Sequence, residues 1–140
     1  MKTITLIQPW ATLILQEDKK IETRSWNTNY RGKLAIHAGL KVDKTVFNDP
    51  FYQLLLENYS INDIPKGRII AICELVDCIP TEKIRDTLSD KEIKLGNYSS
   101  GRFAWILRNV ISIEPSIPTK GMLGLWTYKG SKALETKQQY

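Results

Sequence analysis

Four side chains recur at every second position in one short run: Lys20, Glu22, Arg24 and Trp26. In a strand, successive side chains alternate between faces, so all four project from the same one. A cation, a carboxylate, a guanidinium and an indole in a row make the wall of a polar site. They equally make the solvated outer face of an amphipathic strand with a loose ion pair. Glu74 is the second oddity, because it interrupts the apolar run Arg68 to Cys78. On a strand it shares a face with Ile70, Ile72 and Val76, and a carboxylate there needs a cation or a raised pKa. Lys20 and Arg24 are its candidate partners. It is either a rim residue with one salt bridge or a cleft carboxylate able to accept a proton.

Other groups carry weaker signals. Arg31 precedes Gly32, and Arg102 follows Ser99-Ser100-Gly101. Each is either a solvated turn arginine or a phosphate ligand helped by nearby backbone N–H groups. The single histidine, His37, ends a strand pattern and suits a structural hydrogen bond. Trp10, Trp26, Trp105 and Trp126 are many for 140 residues. Most belong to the core, and one or two could stack on a base. The cysteines, Cys73 and Cys78, match no zinc or redox spacing and read as buried free thiols. No metal-ligand set is present and no cofactor is implied. The absence of a Walker loop, a G-x-G-x-x-G turn and a G-x-S-x-G elbow argues against phosphoryl transfer, dinucleotide binding and α/β-hydrolase chemistry.

These residues need elements to hold them. Residues 3–7 alternate and are β-branched, which predicts a first strand. Pro9 suits the first turn of a short helix with Trp10, Leu13 and Ile14 on its buried face, ending near Glu17 or Asp18. Ile21–Trp26 and Lys33–Ala38 read as strands joined in a hairpin by a long loop. Asp49 should cap a helix beginning at Pro50. Arg68–Cys78 reads as a central strand, Thr81 as the cap of a short helix, and Ser89 with Glu92 as a capping box. Phe103–Ile113 is a long strand ended by Pro115 and Pro118. A glycine-containing loop then leads to a last short strand near Trp126. Strands dominate and helices are peripheral, which predicts an α+β domain on a small barrel or strongly curved sheet.

The bulk numbers agree with one domain, over residues 1–128, followed by a polar tail over 129–140. Hydrophobic residues make up 42% and charged residues 25%, which excludes a disordered or membrane-like chain. No apolar run approaches the roughly 20 residues of a membrane helix, and no secretory leader is evident. A cytoplasmic location is the expectation. The net charge of +5 suits nucleic acid or another anionic ligand, gathered by the fold because no basic run exists. Oligomeric state is left open.

The runs QPWATLI, KKIETRSW, RGKLAIHA, GRFAWILRNV and IPTKGMLGLW, in this order, resemble the ASCH domain family of the PUA-like superfamily. The resemblance spans roughly residues 4–127. It implies a small PUA-like β-barrel with flanking helices and a side cleft, and an RNA-related or nucleotide-related role. The family's cleft elements correspond to Gln8, Pro9, Trp10, Lys20, Glu22, Arg24, Trp26 and Arg31-Gly32. Asp18 stands where many members have glycine. One branch of the family consists of amidohydrolases acting on N4-acetylcytidine, with a Lys-x-x-Thr pair and a later Glu. Lys20, Thr23 and Glu74 could supply that set, but a regular strand points Lys20 and Thr23 to opposite sides. They converge only if Lys20 lies in the preceding turn or a bulge intervenes. The resemblance therefore implies two functions: a protein that binds RNA or a nucleoside-like ligand, or a small amidohydrolase.

Overall fold

The computed structural model describes residues 1–130, so most of the expected polar tail, 131–140, lies outside the described residues. The predicted first and central strands form β1 (Lys2–Gln8) and β4 (Arg68–Pro80). With β2 (Ile21–Arg24), β3 (Gly32–Val42), β5 (Phe103–Pro118) and β6 (Leu125–Thr127), they build one sheet in the order β2-β5-β4-β3-β1-β6. β1 and β3 run parallel, and the other neighbours are antiparallel.

Two expectations are corrected. The hairpin of β2 with β3 does not form. β2 pairs with β5 instead, Ile21 opposite Ile106 and Arg24 opposite Phe103. The loop at 25–31 is long enough to let the strands part, and β5 offers the better apolar neighbour. Its Trp105 is fully buried, packs edge-on against Trp26 at 4.8 Å and donates its indole N–H to the Trp26 carbonyl. Nor does the sheet close into a barrel. Its edges are β2 and β6, only four and three residues long, and no ladder joins them. The fold is a curved, open α+β sheet with a gap.

The helices fill that curvature. In α1 (Trp10–Leu15), Ala11 and Ile14 join Ile4, Leu34, Trp105 and Leu107 in the main core. Leu13 faces the other way, onto Tyr52, Leu56 and Leu95. A helix covered on both sides is apolar all round, and WATLIL is so. It ends earlier than the spacing suggests. Glu17, not Asp18, takes the left-handed conformation (φ 65°), and Lys19 N–H closes the turn onto the Leu13 carbonyl at 3.0 Å. This reversal delivers Lys19 and β2 to the sheet edge.

Asp49 caps α2 (Pro50–Leu55) as expected, accepting from Phe51 N–H. Thr81 begins α3 (Thr81–Ile84) without capping it, because its hydroxyl donates to the Ser99 carbonyl. Before α4 (Asp90–Lys94), Ser89 Oγ accepts from Glu92 N–H, which is half of a capping box. The Glu92 carboxylate turns instead to accept the Lys20 backbone N–H at 3.0 Å. β5 runs on past Pro115, where its pairing with β4 is irregular between Ser112 and Ile117 and asks for no proline N–H. Cys73 is buried, its thiol pushed up to about 12 by burial, and Cys78 is half-buried; both are free. Among the described residues, no helix is long and apolar enough to cross a membrane.

Candidate functional site

A cleft of about 1060 Å³ occupies the gap in the sheet. One wall is the edge strand β2, through Glu22 and Arg24. The opposite wall is β1 and β3, with Trp10 of α1 beside them, and the segment 118–124 forms the rim. Among the described residues three cations line it, Arg24, Lys41 and Lys120, against a single carboxylate, Glu22. Apolar side chains crowd the mouth: Leu40 is 79% exposed and Leu123 is 99% exposed.

Glu22 is fixed from two sides. Arg24 Nη1 lies 3.2 Å from its Oε2, and Lys19 Nζ lies 3.8 Å from its Oε1. The Lys19 side chain is only 2% exposed, and its ammonium donates to the Leu95 carbonyl at 2.7 Å. Burial pushes the Lys19 pKa down, and the nearby Glu22 and Glu92 carboxylates partly oppose that. The Arg24 guanidinium in turn sits 5.7 Å from the centre of the Trp26 ring. Trp26 thus braces the cleft arginine from behind, without lining the cleft.

His37 anchors the rim. The Thr119 carbonyl can only accept, so His37 Nε2 carries the proton and donates to it at 2.7 Å. Nδ1 therefore accepts from the Thr5 hydroxyl at 3.1 Å, and that hydroxyl accepts from the Trp126 indole N–H at 3.0 Å. This network requires neutral histidine. Burial lowers the His37 pKa below its ordinary 6.5, against the raising effect of the Thr119 hydrogen bond. The unfolded chain then takes up the proton first as pH falls. His37 contributes its full stability above pH 6.5 and loses it progressively from there down to the folded value. Thermal melts should show Tm declining with acidification below pH 6.5, with a shallower decline in His37→Gln. Equal slopes in both proteins would refute this role.

Gly121 lies directly over that network. A Cβ there would sit 2.6 Å from Thr5 Oγ1 and 2.7 Å from His37 Cε1. Only glycine lets the rim lie this close, and the segment then turns outward to expose Met122 and Leu123.

The structure distributes the sequence-predicted residues unevenly. Trp10, Glu22 and Arg24 meet in the cleft. Gln8 is fully buried, where its amide donates to the Pro65 carbonyl and its Oε1 accepts from Thr12 N–H. It caps α1. Arg31 is spent on its own loop, bonding the Thr28 and Tyr30 carbonyls and reaching Asp77 at 3.4 Å. Arg102 ties the Asn97 carbonyl to that of Thr23, holding the loop before β5 on the edge of β2.

Lys20, Thr23 and Glu74 are not brought together, and no hydrogen bond or ion pair joins any two of them. Lys20 is exposed beside a second hollow of about 510 Å³ with Arg108 and Asp77. Thr23 faces away from Glu22, its hydroxyl accepting from Asn97 N–H at 3.0 Å. Glu74 is exposed, in register with Lys33 and Arg108, and is not a buried partner of Lys20 or Arg24. A register break at Ile70 turns that residue into the main core with Cys73 and Leu75, away from Glu74, and on Glu74's own face Ile72 is covered while Glu74 and Val76 emerge into solvent.

Sequence reasoning missed Lys19, Lys41, Lys120, Met122 and Leu123. For Lys19 the signal was its i, i+3 spacing to Glu22. The bracketing Gly121 and Gly124 marked the Met-Leu tip. Nothing local pointed to Lys41 or Lys120, which reach the cleft only through the tertiary fold.

Comparisons with known proteins follow the same lines. Residues 4–117 match the ASCH domain. The chain is 28% identical over 128 residues to activating signal cointegrator 1 of Homo sapiens, covering 88% of this chain and 21% of that protein. The Mus musculus protein of the same name matches with the same identity and coverage. The chain thus spans about a fifth of the length of these relatives. The crystal structure of ASCH from Zymomonas mobilis superposes with a TM-score of 0.59 at 14% identity, covering 96% of this chain and 93% of that one. Its Y47F mutant gives 0.58 at 14% identity, covering 96% and 95%. At these identities the two structures support the fold alone.

Proposed function

The chain belongs to the ASCH domain family, and from that premise we propose that it binds single-stranded RNA in the open cleft. The observation that carries this reading is the makeup of that cleft: Arg24, Lys41 and Lys120 line it together with Trp10, Leu40 and Met122. Cations spaced around an apolar surface match an alternating polyanion with flat, unpaired bases. Phosphates take Lys41 and Lys120, and the bases lie on the apolar surface within reach of Arg24. An open sheet suits this ligand, because a strand of RNA can enter and leave through the gap.

Binding carried by these two lysines is salt-dependent. For a single strand, log K falls against log salt with a slope of about −0.7 for each phosphate neutralised, or about −1.4 for two. Fluorescence anisotropy of a labelled, unstructured RNA heptamer across a salt series measures the slope. A slope near zero, or no binding at low salt, would rule the reading out.

A further inference from the structure

We infer that the cleft selects guanine, read by Glu22 and Arg24 through its Watson–Crick edge. This inference rests on the RNA-binding reading above and adds a base preference to it. The starting observation is that Glu22 is the only carboxylate lining the cleft among the described residues. A carboxylate repels phosphate, so its favourable partner on a nucleic acid is an N–H group of a base. Glu22 keeps 12% of its side chain exposed, and Arg24 Nη1 sits 3.2 Å from its Oε2. The carboxylate and the guanidinium therefore stand side by side on the cleft wall, an acceptor group beside a donor.

The four bases differ in what they offer such a pair. Guanine sets two neighbouring N–H donors, N1–H and the N2 amine, beside the O6 acceptor. Two carboxylate oxygens accept the donors and an adjacent guanidinium donates to O6. Cytosine and adenine place a ring-nitrogen lone pair next to their amine, which faces the second carboxylate oxygen and is repelled. Uracil has a single N–H between two carbonyls. Only guanine satisfies both oxygens and the cation together.

Lys19 contributes by holding Glu22 in place. Its ammonium is buried, bonded to the Leu95 carbonyl and 3.8 Å from Glu22 Oε1. The carboxylate is thus preorganised before any base arrives.

The test uses uracil heptamers with one central position changed to guanine, hypoxanthine, adenine or cytosine. All share the same phosphates, so the cationic walls contribute equally. The guanine heptamer should bind about 10- to 100-fold tighter than the adenine, cytosine and all-uracil ones, with hypoxanthine intermediate because it lacks the N2 amine. Glu22→Gln replaces one acceptor oxygen with a donor, which suits an amine beside a ring nitrogen. In that variant the preference should move from guanine to adenine or cytosine. The wild-type ranking stands without the variant, should Glu22→Gln fold poorly. Equal binding of all five wild-type pairs, or a preference for another base, overturns the guanine assignment and leaves RNA binding intact. Failure of every heptamer to bind overturns both.

Discussion

Replacing Lys19 with methionine should lower the free energy of unfolding by about 3 kcal/mol, the lower end of the cost of breaking a buried charge pair. The same change at Lys20 should stay within about 0.5 kcal/mol, as surface substitutions do. Lys19 is 2% exposed, and its ammonium satisfies the Leu95 carbonyl while facing Glu22. Methionine fills the space but donates nothing, so a buried carbonyl and a mostly buried carboxylate each lose a partner. Arg24 still pairs with Glu22, which keeps the cost from the upper end of the range. Lys20 contributes through its backbone, donating to Glu92 and accepting from Leu107 N–H, and methionine preserves both bonds. Urea unfolding of the two variants measures the contrast through the midpoint at constant slope. Equal destabilisation would show that the buried lysine is not the one that holds Glu22.

Gly121→Ala should disable the cleft rim. The added methyl carbon would lie 2.6 Å from Thr5 Oγ1 and 2.8 Å from His37 Nδ1. Neither neighbour can retreat, because both are tied into the network running from Trp126 to the Thr119 carbonyl. The rim itself must lift, and the His37–Thr119 bond breaks with it. A loss of about 1–3 kcal/mol follows, the usual cost of overpacking a tight contact. RNA affinity should fall at the same time, because Lys120 and Met122 move with the rim. Met122→Ala is the control for stability: it truncates an exposed side chain on the same segment and creates no clash. Thermal melts and anisotropy on both variants give the answer. A Gly121→Ala protein with unchanged Tm and affinity would mean the rim tolerates displacement.

Much of the architecture could be read locally. β1 and β4 announced themselves through β-branched and apolar runs, and Asp49-Pro50 marked the start of α2. Glu22 and Arg24 were read as site residues from residue type and spacing and Trp10 from the family resemblance, and the structure lines one cleft with all three. The choice of Lys20 over Lys19 shows where the pattern stops being valid. Alternation holds only inside a strand, and β2 begins at Ile21. Lys19 belongs to the turn after α1, whose geometry sends it inward.

Glu74 fails for a different reason. A strand pattern states which residues share a face but not how far the neighbouring layer extends over it. Pairing of β2 with β5 and the gap in the sheet depend on contacts across some eighty residues, which no local window contains. Lys41 and Lys120 belong to the same class. They meet Arg24 because the sheet curls, and nothing in the residues around either one signals that meeting.

The central claim is that the cleft, not the basic surface as a whole, binds RNA. Its most direct test compares Arg24→Ala with Arg31→Ala for binding of one unstructured RNA heptamer at about 0.15 M salt, where charges beyond about 8 Å are screened. Each variant removes one positive charge. Arg24 lines the cleft, whereas Arg31 is bonded to its own loop outside it. Arg24→Ala should weaken binding about tenfold or more, the value of a charge-assisted contact, and Arg31→Ala should change it by less than about twofold. Equal losses in the two variants, or a larger loss from Arg31→Ala, would contradict the account.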